Sequence, residues 1–388
     1  MLFLHLMNDE KFTNFSISLF EECNPNNNIF IICRYTEEQK FITPEAENIK
    51  YYLAGNVEYF NYIEECNFDV LFVHFLDYHK CITICNLKKR KKIVWLAWGA
   101  DIYNSPFYKS ELYQPFTRKL LMNINNRLEA KVRKLTNKIL PFILIKRTSY
   151  ALYKNAIKKI DYCATVIPNE YEVLQQWKFF KAKQVYFSYG SFENDLKDTN
   201  LLNSECLGSG ILIGNSISPT SNHLDVFEKL KTLNFGTRKI VVPLNYGNEI
   251  KYREEIIKKG EAFFKNDWCP LLDFISKEEY IKVLVNCNVA IMNHERQQAI
   301  GNLVLLFWLG YKIFLSERSI TYKYFKDKGF NIYSFQSDLN TTTINNPLSK
   351  NDFKENRQLI KEEYNHNKVI AQTMELINTV NAGISKYK

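Results

Sequence analysis

Short apolar runs alternate with segments of helical period from one end of this chain to the other, and the alternation starts afresh near the middle. Leu2–Leu6, Ile29–Cys33, Asp69–Phe75, Ile93–Trp98, Ile160–Ile167 and Gln184–Tyr189 read as buried strands, with helical patterns such as Phe12–Glu22 and Asn169–Phe179 between them. After residue 205 come Ile211–Ile213, Lys239–Leu244, Asn288–Asn293 and Lys312–Ser316. Strands that take turns with helices build βαβ units, and such units assemble parallel sheets. The chain is therefore expected to be α/β, with two doubly wound domains. Its 388 residues are too many for one ordinary core and enough for two. The polar stretch Asn194–Gly210 has no period and ends in Gly208-Ser209-Gly210. It sets an expected first domain over 1–203 and a second over 204–350, with a closing helix in 351–388 that returns to the first.

Nine cysteines, an odd number with no CxxC pair, fall partly in apolar runs and read as free buried thiols. Cys81-x3-Cys85 lacks the second pair a zinc site needs, so no metal is expected, and no cofactor. Met1–Met7 is apolar but has no basic leader and turns polar at Asn8-Asp9-Glu10. No apolar stretch approaches the roughly 20 residues of a spanning helix, which points to a cytoplasmic location.

The net charge of +9 is unevenly placed. Residues 109–159 hold thirteen Lys or Arg against Glu111 and Glu129, so the rest of the chain is slightly acidic. The cations are interleaved with Phe107, Tyr108, Leu112, Tyr113, Phe116, Leu120, Leu121, Ile139, Leu140, Phe142, Ile143 and Leu144. Two amphipathic helices with a hinge at Pro141 would account for this basic helical segment (104–159). The mixture also suits a surface that lies on anionic lipid. Nucleic-acid binding is not expected, because no recognised motif accompanies the charge.

In the second half, Ile211-Leu212-Ile213 runs into Gly214-Asn215-Ser216 and then into Ser221-Asn222-His223, where a helix begins with Leu224, Phe227 and Leu230 on one face. Strand, glycine turn and helix N-terminus make an anion site, to which His223 could add a donor or a cation; the same pattern also describes an ordinary capped turn. Val289–Met292 leads into His294-Glu295-Arg296-Gln297-Gln298-Ala299-Ile300-Gly301, ahead of a helix that is apolar nearly all round. Arg296 suits a phosphate, Glu295 suits sugar or ribose hydroxyls, and Gln297 and Gln298 suit a base or a sugar. Gly301 lets a ligand come close. Between the two lies a further strand ending at Pro243, with Tyr246 in the turn after it. In the first half, Trp98-Gly99-Ala100-Asp101-Ile102-Tyr103 leaves a strand through a glycine and at once offers a carboxylate. Ligands of open parallel sheets bind beyond the carboxyl ends of strands, so Asp101 is either placed for chemistry or is a loop acid that caps a helix.

These segments together resemble the TDP-N-acetylfucosamine:lipid II N-acetylfucosaminyltransferase family. The resembling stretches are Trp98–Tyr103, Ile211–Ser216 with Ser221-Asn222-His223, Lys239–Leu244 with Tyr246, and Arg296–Gly301, in the same order; His5 to Asp9 fits more loosely. The resemblance implies a GT-B fold, with two Rossmann-like doubly wound domains facing across a cleft and the nucleotide-sugar held mainly by the second. It further implies transfer, without a metal, of 4-acetamido-4,6-dideoxygalactose from a dTDP-sugar to an undecaprenyl-diphosphate-linked glycan. Such an enzyme would work on the inner face of the cytoplasmic membrane as a peripheral protein. Residues 104–159 depart from the family by being longer and more basic, and the loop at Asn245-Tyr246-Gly247 is shorter.

In such a transfer Arg296, His223 and the helix ends would offset charge on the departing diphosphate. If the anomeric carbon inverts, a base must take the acceptor proton. Asp101 is the first candidate and Asp9 the second, followed by His74 and Asp77. His5, Trp98, Gly99 and Tyr103 complete an acceptor side, although His5 also reads as an interior histidine. A nucleotide-sugar epimerase and a non-catalytic basic lipid- or nucleic-acid-binding protein are the alternatives.

Overall fold

A computed structural model describes residues 1–35, 46–132, 140–196, 205–206, 208–273 and 275–385, for the backbone alone at 125–132, 140–148, 195–196, 277 and 384–385. The chain forms two compact units. The first comprises Met1–Lys109, Lys138–Ser191 and His366–Lys388; the second comprises Ser110–Asn137 and Phe192–Asn365.

The first unit is built on a seven-stranded sheet. Its strands are β1 (Phe3–Asn8), β2 (Asn28–Arg34), β3 (Ile49–Leu53), β4 (Val70–His74), β5 (Lys92–Leu96), β6 (Tyr162–Ala164) and β7 (Lys183–Gln184). They pair throughout in parallel, in the order β3-β2-β1-β4-β5-β6-β7. β1 is buried along its whole length, as an inner strand covered on both faces must be. Phe3, Met7, Phe30 and Phe72 join Ile17 and Phe20 of helix Thr13–Cys23 in one core. Val369, Leu376, Ile377 and Val380 of the last helix, His366–Ser385, belong to that same core.

The second unit carries β8 (Gly210–Ile213), β9 (Ile240–Pro243), β10 (Trp268–Leu271), β11 (Cys287–Met292), β12 (Lys312–Leu315) and β13 (Tyr333–Ser334). Their order is β10-β9-β8-β11-β12-β13, again all parallel. Helix Ile300–Leu309 is apolar nearly all round and is buried from Leu303 onward except at Leu305. Gly310 ends it at φ +86°, a conformation that suits glycine.

The fold class is the one expected, while the boundaries differ. The second unit begins at Phe192 rather than 204, and it takes Ser110–Asn137 out of the first half. Residues 197–204 and 207 of the expected boundary lie outside the described residues. The closing helix is two helices: Lys350–Glu363 in the second unit and His366–Ser385 in the first. The basic segment forms helices Pro115–Val132 and Leu140–Lys158, which fall in different units. Pro141 lies in the first turn of the second helix, where a missing N–H costs nothing. Leu120 and Ile124 are buried in the core of the second unit, and Ala156 and Ile157 are buried in the first. Ile139 and residues 133–138 lie outside the described residues. Among the described residues, no helix is long and apolar enough to cross a membrane.

Candidate active site

Both sheets have their strand order reverse at one place, between β1 and β4 in the first unit and between β8 and β11 in the second. Loops leaving neighbouring strands on either side of such a point run in opposite directions and open a crevice at the carboxyl edge, where ligands of these folds bind.

In the second unit the two loops at that point are the two singled out from the sequence. Gly214 follows β8 at φ +65°, and a Cβ there would come within 2.9 Å of His223 Nε2. Asn222 is left-handed (φ 50°, ψ 42°) and turns the chain into helix His223–Leu230. After β11, Ala299 is also left-handed, at φ 63°, before helix Ile300–Leu309. Neither helix has a side-chain cap on its first turn, so backbone N–H groups are left for a ligand.

Hydrogen bonds tie the loops to each other. Gln298 accepts from Thr220 Oγ1 at 2.6 Å and donates to Asn215 Oδ1 at 2.8 Å. Arg296 Nε donates to Thr220 Oγ1 at 3.3 Å, and Asn222 Nδ2 donates to the Asn293 carbonyl at 2.9 Å. Gly214 and Arg296 therefore belong to one rim. Ser216, Ser221, Gln297 and Gln298 are buried in it, whereas Gly301 is open, with nothing near the position of a Cβ. Glu295 Oε1 accepts from Ser316 Oγ at 3.2 Å and from Arg318 Nη2 at 2.8 Å. Pro243 is a buried strand residue paired with Leu271, so it shapes the sheet rather than the rim. Tyr246 is half exposed in the turn beyond it, and its carbonyl accepts from the N–H of Ile217.

His223 is fully buried beneath Gly214, with Nδ1 3.1 Å from the Tyr252 hydroxyl and Nε2 without a partner. Burial pushes its imidazole down to about 3. At neutral pH it is therefore a neutral ring that can donate but not a cation. His294 is held down to about 3 as well, by burial first and then by Arg296 and His223.

In the first unit the surroundings of Asp101 suit the second of its two expected roles, that of a structural loop acid. It is 6 % exposed, and its Oδ2 accepts from Leu76 N at 2.9 Å and from Trp95 Nε1 at 2.8 Å, while Oδ1 accepts from Trp98 N at 2.9 Å. Burial raises its pKa against the pull of these donors. A carboxylate so enclosed ties the exits of β4 and β5 together and has no room for a substrate proton. Gly99, at φ +83°, makes the bend that brings it there. An Asp101→Asn variant turns one donor group toward donors. It is expected to lose about 2–4 kcal/mol of stability in denaturant unfolding, with turnover per folded molecule largely kept.

His5 and His74 also leave the acceptor side. Both are fully buried, joined at 3.2 Å between His5 Nδ1 and His74 Nε2, with Asn28 Oδ1 on the far nitrogen of His5. The His5 ring stacks between Phe30 and Phe72. Burial holds His5 down to about 3 and His74 well below its ordinary value. Tyr103 is buried against Tyr108. Asp77 pairs with the fully buried Lys80 at 2.9 Å and accepts from Tyr35 at 2.7 Å. Burial raises its pKa, but Lys80 outweighs that and leaves it low. Two named residues stay at the accessible edge. Asp9 follows β1 half-buried, and Trp98 lies half-buried among Phe12, Phe75 and Tyr189.

Three further residues contribute to the second unit. Tyr252 supports His223. Asp225 holds the N–H groups of Phe116 and Thr117, both at 2.9 Å, and so caps helix Pro115–Val132. Gln114 sits between the two rim loops. Among the described residues there is no cluster of His, Cys, Asp or Glu fit to hold a metal ion.

Solved structures similar to this chain are glycosyltransferases and related enzymes. Sucrose-phosphate synthase from Thermosynechococcus elongatus matches with a TM-score of 0.65 at 9% identity, covering 99% of this chain and 100% of that one. HepE from Anabaena, in complex with UDP and glucose, matches with 0.61 at 9% identity over 98% and 100% of the two chains. A glycosyltransferase from Rickettsia africae matches with 0.59 at 9% identity over 98% of each. At that identity the likeness shows the fold, which is that of the GT-B glycosyltransferases. Residues 144–365, more than half of the chain and spanning both rim loops, match the model of a family described as 4-alpha-L-fucosyltransferase, glycosyl transferase group 56. A chain whose fold and sequence agree in this way belongs to glycosyl transferase group 56 and is a glycosyltransferase.

Proposed function

We propose that this protein transfers 4-acetamido-4,6-dideoxygalactose from a dTDP-sugar to an undecaprenyl-diphosphate-linked glycan, at the cytoplasmic face of an anionic membrane. The observation that carries the reading is the joined rim at the second unit's switch point, where two uncapped helix ends and one guanidinium converge. Such a rim suits a diphosphate: fixed dipoles and a cation stabilise the charge that develops as the sugar departs. HepE is described in complex with UDP and glucose, which supports a nucleoside diphosphate here. The family's description names a fucosyl group, and the acetamido sugar shares with fucose a methyl at C6.

If the anomeric carbon inverts, the transfer is a single displacement. An acceptor hydroxyl oxygen bonds to the anomeric carbon, the bond from that carbon to the diphosphate oxygen breaks, and dTDP leaves with the electron pair. The hydroxyl proton passes to a base, for which Asp9, half-buried in the turn after β1, is our assignment. His223 supports the loop from beneath Gly214 as a neutral ring, and Tyr246 and Gly301 contribute open surface near the rim. Trp98 and the rings around it suit the face of an acceptor sugar. The basic helices suit anionic lipid around that acceptor.

The test is mass spectrometry of products from a lipid-linked acceptor incubated with dTDP-, UDP- and GDP-sugars. A mass gain of one acetamidodideoxyhexose from the dTDP donor alone is expected; gain from another donor only overturns the assignment. Arg296→Ala is expected to raise the donor KM about 10- to 100-fold with little change in the acceptor KM, measured by initial rates.

A further inference from the structure

Gln114 comes from the segment that the second unit takes out of the first half of the chain, and it lies outside residues 144–365 that match the family. Its side chain is 5 % exposed. It pairs face to face with the Asn293 amide, donating from Nε2 to Asn293 Oδ1 at 2.7 Å and accepting at Oε1 from Asn293 Nδ2 at 2.9 Å. The same Nε2 donates to Glu295 Oε1 at 2.5 Å. Its backbone N–H donates to Asn222 Oδ1 at 2.8 Å. One residue thus holds the loop after β8 and the loop after β11 at once. It is itself fixed, because Pro115 follows it in the first turn of the helix and Asp225 caps that turn.

The consequence falls on Glu295. Gln114, Ser316 and Arg318 all donate to the same oxygen, Oε1, and among the described residues none donates to Oε2. A carboxylate anchored by three donors on one oxygen cannot rotate, so the other oxygen keeps one direction. A fixed acceptor of this kind is suited to a hydroxyl group and discriminates strongly against a ligand that lacks one.

We propose that Gln114 is a positioning residue of the donor site: it fixes Glu295 so that Oε2 accepts a hydroxyl of the nucleotide-sugar. This rests on the donor-binding reading of the rim given above. Gln114 touches no donor atom in this scheme and acts through Glu295.

The test is a double-mutant cycle of Gln114→Leu and Glu295→Gln, read as the calorimetric Kd of dTDP-sugar and of dTDP alone, with donor and acceptor KM from initial rates. Each single change is expected to weaken donor-sugar binding about tenfold, a value expected for a hydrogen bond to a charged group. The double variant is expected to be no weaker than Glu295→Gln alone, because the two act as one unit. The acceptor KM is expected to stay within twofold. A loss seen with dTDP alone assigns the hydroxyl to the deoxyribose; a loss seen only with the complete donor assigns it to the sugar. Additive losses, or equal shifts in donor and acceptor KM, overturn the proposal. Arg318→Gln removes a second donor to the same oxygen from an exposed side chain, and it must show the same donor-only loss if Gln114→Leu fails to fold. Native protein that binds no nucleotide-sugar sinks the reading of the rim and this proposal together; native binding with an additive cycle sinks this proposal alone.

Discussion

An Asp9→Asn protein is expected to bind its nucleotide-sugar with native affinity and to turn it over about 10²–10⁴-fold more slowly, the usual effect of removing a general base. Of the acids and imidazoles at the carboxyl edge of the first sheet, His5 and His74 are neutral, buried and paired with each other. Asp77 is committed to Lys80, whose ammonium also has the Phe75 carbonyl within 3.1 Å. Asp101 is enclosed by three N–H donors. Asp9 follows an inner strand, β1, at the reversal of strand order, and is half-buried. Asparagine keeps its shape and removes its basicity. The check is kcat by a product assay beside donor Kd by calorimetry. Turnover within threefold of native would move the base elsewhere, and a matching loss in Kd would make Asp9 a binding group.

The second large effect is on stability in mild acid. His5, His74, His223 and His294 are all buried with their pKa values depressed, each chiefly by burial. In the unfolded chain an imidazole takes up its proton near pH 6.5. Folded pKa values below unfolded ones mean that the unfolded state binds more protons as pH falls. The stability is therefore complete above about pH 6.5 and is lost progressively below it, down toward the folded value of about 3. Each ring costs about 1.4 kcal/mol by pH 5.5, so two rings in each unit cost about 3 kcal/mol per unit. Most carboxylates are still ionised there, which leaves the window from pH 6.5 to 5 to the histidines. Urea unfolding at half-unit steps of pH is expected to show midpoints falling steeply through this window. A flat profile would mean that these rings are not buried and neutral.

What the sequence made legible follows burial. β1, β4, β5, β8 and β11 lie inside their sheets, and their burial on both faces produces the unbroken apolar runs by which they were read. β3, β10 and β13 were not read at all. Each is the last strand at an edge and is not buried throughout, and Pro270 interrupts β10, so none carries a clear period. The rim loops were legible because glycine, polar residues and a buried helix follow one another along the chain. Asp101 was misleading because a catalytic and a tethering carboxylate look alike after a glycine. The group that decides, Trp95 Nε1, is only 6 residues away, on a strand whose side-chain direction the sequence does not announce. Gln114 was beyond reach for a different reason. Gln114-Pro115 signals a helix start, but the partners that give the glutamine its work are 108 and 179 residues further along.

The way the chain is shared between the units bears on how this protein can be made. The polypeptide passes from one unit to the other after residues 109, 137, 191 and 365. No single cut therefore frees either lobe intact, and a fragment ending near residue 191 would lack Val369, Leu376, Ile377 and Val380 from its interior. During synthesis the first unit is without helix His366–Ser385 until that segment has left the ribosome. Its assembly depends on pairings between residues far apart along the polypeptide, such as Phe20 and Val369, which carry a large loop-closure cost and form late.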